Sequence, residues 1–379
     1  MKILLKNYIL SFCVLTVLMI FVVQALGFSA LRIPFLLVYI LGLCFLNFSI
    51  VKVDKFIALN FLMVLYTIVQ SLIIQQKLTL LVFIQAVVSV SMYLIFYLYN
   101  IKVVKKIDKK FLESTSYYLL FFLPVLLVSI VEWNIRRSAG LLGNPNVSAH
   151  TLLFMIPFVL MVKRTKLVYS ILAIIVLICL VQFASRSAML AFIFGVGGYL
   201  ISMKWPKNKF ILYLIYVGAV IYLSYEVVEI MKYFLDTYGY FFTDVNSRLL
   251  ETTYNSRDVL FEQAFQRFQG NEFWGLGFDG AKFNLSGDHE LSTHNGFLEI
   301  LFRLGIGGLT IFGALLIYML KKISQVKNNY LRSAAFMSFV IMMSLSTNSS
   351  TFFVFNFFFY YLIMIYCIAV FSKTSQIEI

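Results

Sequence analysis

Apolar runs recur from one end of the chain to the other, separated by short polar breaks. Twelve of them, at approximately 8–27, 33–51, 56–74, 78–100, 115–132, 148–162, 167–184, 187–203, 210–231, 295–320, 333–347 and 351–371, approach or exceed the ~20 residues a helix needs to cross the hydrocarbon core. The pattern predicts an all-α polytopic membrane protein with about 12 transmembrane helices. The first run follows Lys2 and Lys6 and is longer than the ~7–15-residue core of a secretory signal, so it reads as an uncleaved helix.

One segment departs from the short breaks. Residues 232–294 are far more polar than the rest, and connections of such length are usually functional or disordered. Trp274 and many Phe and Tyr argue against disorder, and Leu260, Phe261, Ala264, Phe265 and Phe268 recur at helical spacing. One or two short helices lying at the membrane surface are expected. Asn255 followed by Asp258 has the form of a helix start and puts Arg257 in the first turn. The chain thus divides into transmembrane helices one to nine (1–231), an extracytoplasmic loop (232–294) and helices ten to twelve (295–379).

Orientation follows from Lys and Arg, which concentrate in cytoplasmic connections. With the N-terminus inside, twenty of the thirty-one fall in cytoplasmic segments, including the cluster Lys102, Lys105, Lys106, Lys109 and Lys110. Both termini are therefore expected to be cytoplasmic. Composition agrees with a bilayer as solvent, at 61% hydrophobic and 13% charged residues. The formal net charge of +14 is divided among many cytoplasmic segments, as topology and contacts with anionic membrane lipids require, and gives no reason to expect a nucleic-acid partner. Cys13, Cys44, Cys179 and Cys367 fall within separate predicted spans with no C-x-x-C pairing, so neither a disulfide framework nor a zinc site is indicated.

Polar residues at the outer ends of helices carry the candidate chemistry. Arg136 and Arg137 begin a Gly/Asn/Pro-rich connection that ends Asn144-Pro145-Asn146. Ser185-Arg186-Ser187 is wedged between two apolar runs, where a charge is costly unless it is paired, snorkelling or used. Thr293-His294-Asn295-Gly296 closes the long loop; an imidazole at a helix N-terminus is kept neutral by the helix dipole and can accept a proton. Arg257 near a helix start suits an anion, or else pairs with Asp258 or Glu262. The run Gly275-Leu276-Gly277-Phe278-Asp279-Gly280 is formally a dinucleotide fingerprint but lies in no βαβ unit, and its glycines read as tight turns returning the loop to the membrane. The spacing of His289 and His294 matches no standard ligand pair, and no metal is expected.

Together the segment 137–146, the Ser185-Arg186 turn, the Arg257 segment ending in Gly275-Leu276-Gly277, and His294-Asn295-Gly296-Phe297-Leu298-Glu299 with Gly305, Gly307 and Gly308 behind it resemble the O-antigen polymerase and ligase superfamily of membrane glycosyltransferases. The resemblance implies a bacterial inner-membrane enzyme that takes glycan from an undecaprenyl-diphosphate-linked donor to a hydroxyl acceptor, without a nucleotide sugar, metal or other cofactor. It assigns His294 as base, Arg186, Arg257 and Arg137 as diphosphate ligands, and Asn146 and Asn295 as supporting residues. A polymerase acting on lipid-linked repeat units is preferred over a ligase on soft compositional grounds, with a chain-length regulator as a candidate further partner. A lipid-linked-oligosaccharide flippase or transporter is the alternative class; the absence of an evident repeat between the halves and the single long outer loop favour an enzyme.

Overall fold

The computed structural model describes residues 9–14, 16–18, 54–74, 80–105, 107–128, 142, 144–163, 165–183, 185–206, 208–238, 256–277, 283–284, 290–291, 295–347 and 357–376. Within them the chain is mostly helical: α1 (Ile9–Leu18), α2 (Lys55–Ile74), α3 (Leu80–Val104), α4 (Lys109–Val128), α5 (Pro145–Leu160), α6 (Lys166–Phe183), α7 (Arg186–Lys204), α8 (Phe210–Tyr238), α9 (Ser256–Phe268), α10 (Gly296–Ser324), α11 (Asn329–Ser346) and α12 (Phe357–Phe371). The long loop also carries one antiparallel pair of two-residue strands, β1 (Phe283–Asn284) and β2 (Glu290–Leu291).

Among the described residues four stretches are long and apolar enough to cross a membrane: Lys55–Ile73, Ala86–Val104, Arg186–Lys204 and Gly296–Ser324. With the shorter apolar helices around them they make the chain an integral membrane protein. The described helices do not reproduce the twelve full spans expected from the sequence. The second predicted span, 33–51, lies outside the described residues, and α5, at 16 residues, is only ~24 Å long.

Burial sorts the helices into layers. Along α5, α11 and α12 almost every described side chain is buried, whatever its position around the helix, which marks them as the centre of the bundle. By contrast α2, α6 and α8 present rows of exposed Leu and Ile, such as Leu62, Leu65 and Leu72 on α2, the face a lipid solvent accepts.

Helices α7 and α11 form the closest seam, and small residues make it possible. Gly195 packs under Ile341 and Met337, and Gly198 under Val340 and Phe336. At the lysine-rich end of the seam the buried Arg332 donates to the carbonyls of Ser202 at 3.2 Å and Trp205 at 2.9 Å, and so uses its charge on the C-terminal carbonyls of α7. These contacts set an antiparallel register in which Gly195, Gly198 and Ser202 meet successively earlier residues of α11.

A Cβ at Gly195 would lie 2.7 Å from Ile341 Cγ1, whereas at Gly218 of α8 it would meet nothing within 4 Å. Gly195→Ala should therefore destabilise the detergent-purified protein by ~1–3 kcal/mol. In the same thermal-unfolding assay Gly218→Ala should be neutral or slightly stabilising, because Ala is the better helix former.

Candidate functional site

Three helix N-termini collect at the end of the bundle opposite Arg332. Tyr199 Oη donates to the Leu160 carbonyl at 3.2 Å, which sets the C-terminal parts of α5 and α7 level and leaves their N-termini, at Pro145 and Arg186, together at the other end. The antiparallel register brings Arg186 level with the C-terminal end of α11. There Asn295 Nδ2 donates to the Thr347 carbonyl at 3.0 Å, tying the start of α10 to the same place.

Local sequence accounts for two of these starts. Asn144 caps α5, its Oδ1 accepting from the amides of Asn146 at 3.0 Å and Val147 at 3.3 Å, with Pro145 as the first helical residue. Asn295 caps α10 in the same way, accepting from Phe297 at 3.0 Å and Leu298 at 3.1 Å. The start of α7 differs. Ser185 occupies the cap position without a side-chain cap bond; its Oγ is buried and has no hydrogen-bond partner among the described residues. Beside it the half-buried Arg186 opens the helix. A hydroxyl, helix N-terminal amides and a guanidinium in one place are the donors an anion needs.

The long loop reaches this end through a break in α10. Gly305 adopts φ +67° and ψ −172°, which only glycine tolerates routinely, and the helix divides there into Gly296–Leu304 and Ile306–Ser324. Ordinarily a break inside a membrane helix leaves backbone groups without partners. Here the loop supplies them: Ile306 N donates to the Glu272 carbonyl at 2.9 Å, Gly307 N to that of Phe273 at 3.2 Å, and Leu276 N to that of Phe302 at 2.6 Å. Helix α2 supplies the rest. Tyr66 Oη bonds the carbonyls of Leu304 and Phe273, each at 2.8 Å, and Gln70 Nε2 bonds those of Arg303 and Trp274. The Tyr66 ring stacks on Trp274 with centroids 5.3 Å apart. Gly275, at φ +78°, lies against the Gly305 amide so closely that a Cβ would collide with it.

Above the break, α9 lies along the first half of α10. Ala264 and Phe268 bury against Phe302, with Leu276, Leu298 and Leu301 around them, and the Phe265 and Phe268 rings meet Phe302 edge-on at 5.2 and 5.4 Å. On the inner face of the same half-helix Glu299 and Arg303 form a buried ion pair with Oε1–Nη2 at 2.9 Å. Arg303 is enclosed by the bundle. In the loop itself the Gly270 amide donates to Glu272 Oε1 at 2.8 Å and holds that exposed carboxyl below its ordinary range, with the Glu272 amide contributing.

The residues picked out in the sequence fare differently. Asn295 is the cap of α10 and its tie to α11. Asn146 is exposed in the first turn of α5, while Asn144, two residues earlier, does the capping; the Asn-Pro signal at a helix start could have revealed it. Arg186 stands at the shared end of α5, α7 and α10. Arg257 is the second residue of α9, as its expected helix start required, and its helix packs on α10. His294 and Arg137 lie outside the described residues. Among the described residues no three His, Cys, Asp or Glu side chains gather as a metal would need. Tyr66 and Gln70 carried no signal at all, being more than two hundred residues from their partners.

A helical membrane bundle whose long loop is docked beside clustered helix N-termini is the class that the fold and site define. Residues 171–313, from α6 to the middle of α10, match the O-antigen ligase family. The match covers less than half of the chain and bears out the resemblance to the O-antigen polymerase and ligase superfamily, which implies a glycosyltransferase-like enzyme and lipid-linked glycan substrates. No curated protein matches the chain.

Tyr66→Phe keeps the stack on Trp274 but withdraws the hydroxyl donor to the Leu304 and Phe273 carbonyls at the break. It should cost ~1–3 kcal/mol and expose the 271–277 segment to limited proteolysis before the bundle unfolds. Gly305→Ala should be more severe, because it combines left-handed strain with a collision against the Phe273 carbonyl.

Proposed function

We propose that the chain polymerises a surface polysaccharide at the outer face of the bacterial inner membrane, with both termini in the cytoplasm. It transfers glycan from an undecaprenyl-diphosphate carrier to a hydroxyl of a lipid-linked repeat unit. The observation that carries this reading is the convergence of the α7 and α10 N-termini, with Arg186 at one and the residue after His294 capping the other, at the end where α9 and its Arg257 dock. The matched stretch 171–313 includes Arg186, Arg257 and His294.

In this reaction the acceptor oxygen bonds to C1 of the donor sugar as the bond from C1 to the phosphate oxygen breaks. The diphosphate leaves with the electron pair, and His294 takes the hydroxyl proton. Inversion at C1 follows from a single displacement. Arg186, Arg257 and Arg137 hold the diphosphate; a guanidinium does so with a planar, permanently charged fork and needs no divalent ion. Support for Arg186 comes from its neighbour, the buried Ser185 Oγ, which has no partner among the described residues, at an N-terminus that its own serine does not cap. Asn295 fixes the start of α10 and with it the point from which His294 extends, and Asn146 sits at the neighbouring start of α5.

Transfer to another acceptor is the second reading, favoured by the description of the matched family as O-antigen ligase. Lipid-linked glycan in a deletion strain separates the two. Single repeat units on the outer face identify a polymerase, long lipid-linked chains a ligase, and units trapped on the inner face a flippase.

His294→Ala should reproduce the deletion pattern, with turnover of purified protein down ~10²–10⁴-fold; wild-type glycan from this variant removes the histidine from the chemistry. Arg186→Lys should impair turnover more than protein level, and full activity of both Arg186→Lys and Arg186→Ala rules out the diphosphate role. A chelator should leave the purified enzyme active; inhibition restored by a divalent ion would refute the metal-free scheme.

A further inference from the structure

The loop tip, residues 271–276, sits at a depth that the polarity of the loop does not suggest. The apolar stretch of α2 is 19 residues long, ~28 Å as a helix, so nearly all of it is needed to cross the ~30 Å hydrocarbon layer. Tyr66 and Gln70 lie eight and four residues inside its outer end at Ile74, ~12 and ~6 Å down the axis. Both hold the tip by its backbone, through the carbonyls of Phe273 and Trp274.

Its hydrogen bonding suits such a place. The Gly275 amide donates to the Asn271 carbonyl at 2.7 Å, the Asn271 amide to the Phe268 carbonyl at 2.9 Å, and the carbonyls of Glu272, Phe273 and Trp274 accept from α2 and α10. Backbone in contact with lipid has to be satisfied by protein in this way. Phe273 is 57% exposed and Ile306 51%, and Leu65, Val69, Leu72 and Ile73 on the lipid face of α2 are exposed as well, while the exposed carboxyl of Glu272 keeps the polar side of the tip at the level of the lipid headgroups. Trp274 and Tyr66 stack just inside, and both are residue types that favour the membrane interface.

The geometry points to a shallow re-entrant dip: the tip of the extracytoplasmic loop enters the outer leaflet, and Phe273 with Ile306 forms a contact surface for the acyl chains of bilayer lipids. This contact does not depend on the proposed glycosyl transfer. If that reading also holds, the first half of α10, nine residues or ~13 Å, stands between the acyl contact and Asn295, and raises the reacting end of the helix towards the level of the lipid headgroups.

Tryptophan fluorescence of the full chain in bilayers tests the inference. Three variants are compared with wild type: Phe273→Trp, Ile306→Trp as the lipid-facing reference, and Gln266→Trp on the exposed face of α9 as the aqueous one. The emission added by Phe273→Trp should be quenched several-fold more by lipids brominated on their acyl chains than that of Gln266→Trp, and should resist acrylamide as Ile306→Trp does. Acrylamide quenching equal to that of Gln266→Trp, with no response to brominated lipid, overturns the proposal. Should Phe273→Trp fail to accumulate, a nitroxide on Phe273→Cys read by collision with oxygen against a water-soluble nickel chelate gives the same decision. Glycan transfer is not part of either readout, so failure of the lipid contact and failure of the enzyme reading are told apart.

Discussion

A helix cannot be broken inside a membrane unless other groups take over the hydrogen bonds it gives up, and that requirement organises the loop-bearing half of this molecule. At Gly305 the carbonyls of Phe302, Arg303 and Leu304 and the amides of Ile306 and Gly307 all find partners outside α10. The partners come from two places remote in sequence, α2 and the 271–276 segment. Each such group left without a partner would cost ~1–3 kcal/mol, so loop, break and α2 form one unit in which no part is stable in this form without the others. Gly275 and Gly305 are glycines for the same reason, since the two backbones approach within the space a Cβ would fill.

The break also explains how a long loop can hold a helix in a fixed place. Anchored at Gly275 and Leu276, the chain lays α9 along the first half of α10, where Phe302 receives Phe265 and Phe268. The opposite side of that half-helix carries Glu299 and Arg303. In so dry a setting, removal of either partner would leave an uncompensated charge, at ~3–5 kcal/mol. Apolar contact on one side and the enclosed ion pair on the other leave the half-helix one orientation. Its N-terminus is then tied to α11 by Asn295, beside the start of α7. The positive ends of helix dipoles, the guanidinium of Arg186 and a buried hydroxyl are drawn to one end of the bundle, an arrangement suited to anionic ligands.

Much of this was legible in the sequence. Long apolar runs announced helices in a membrane, and the boundaries of α2, α6 and α7 fall within a residue of the predicted spans. The start of α9 was readable from Asn255 and Asp258, and Gly275 and Gly277, read as turn glycines, take positive φ. The uninterrupted tenth span was not, because an apolar glycine-containing run carries no sign of whether its backbone bonds continue. The burial of Arg303 is not legible locally either, because it depends on Glu299, one turn away, being enclosed with it. Among the described residues four helices have the length and apolarity of a full span; hydropathy records that a run is apolar and not whether lipid or protein surrounds it.

By itself, then, the sequence determined the solvent of this protein, the helical character of its elements and the residue types available for chemistry, because hydropathy, length and side-chain charge are properties of local stretches. Tertiary structure decided which apolar helices form the centre and which face lipid. It also decided which helix starts share one end of the bundle, and that a polar loop must dip to α2 to complete a broken helix. These depend on pairings such as Tyr66 with Phe273 and Asn295 with Thr347. No local signal encodes such a pairing, since each bond is favourable only after the whole bundle has brought its two ends together.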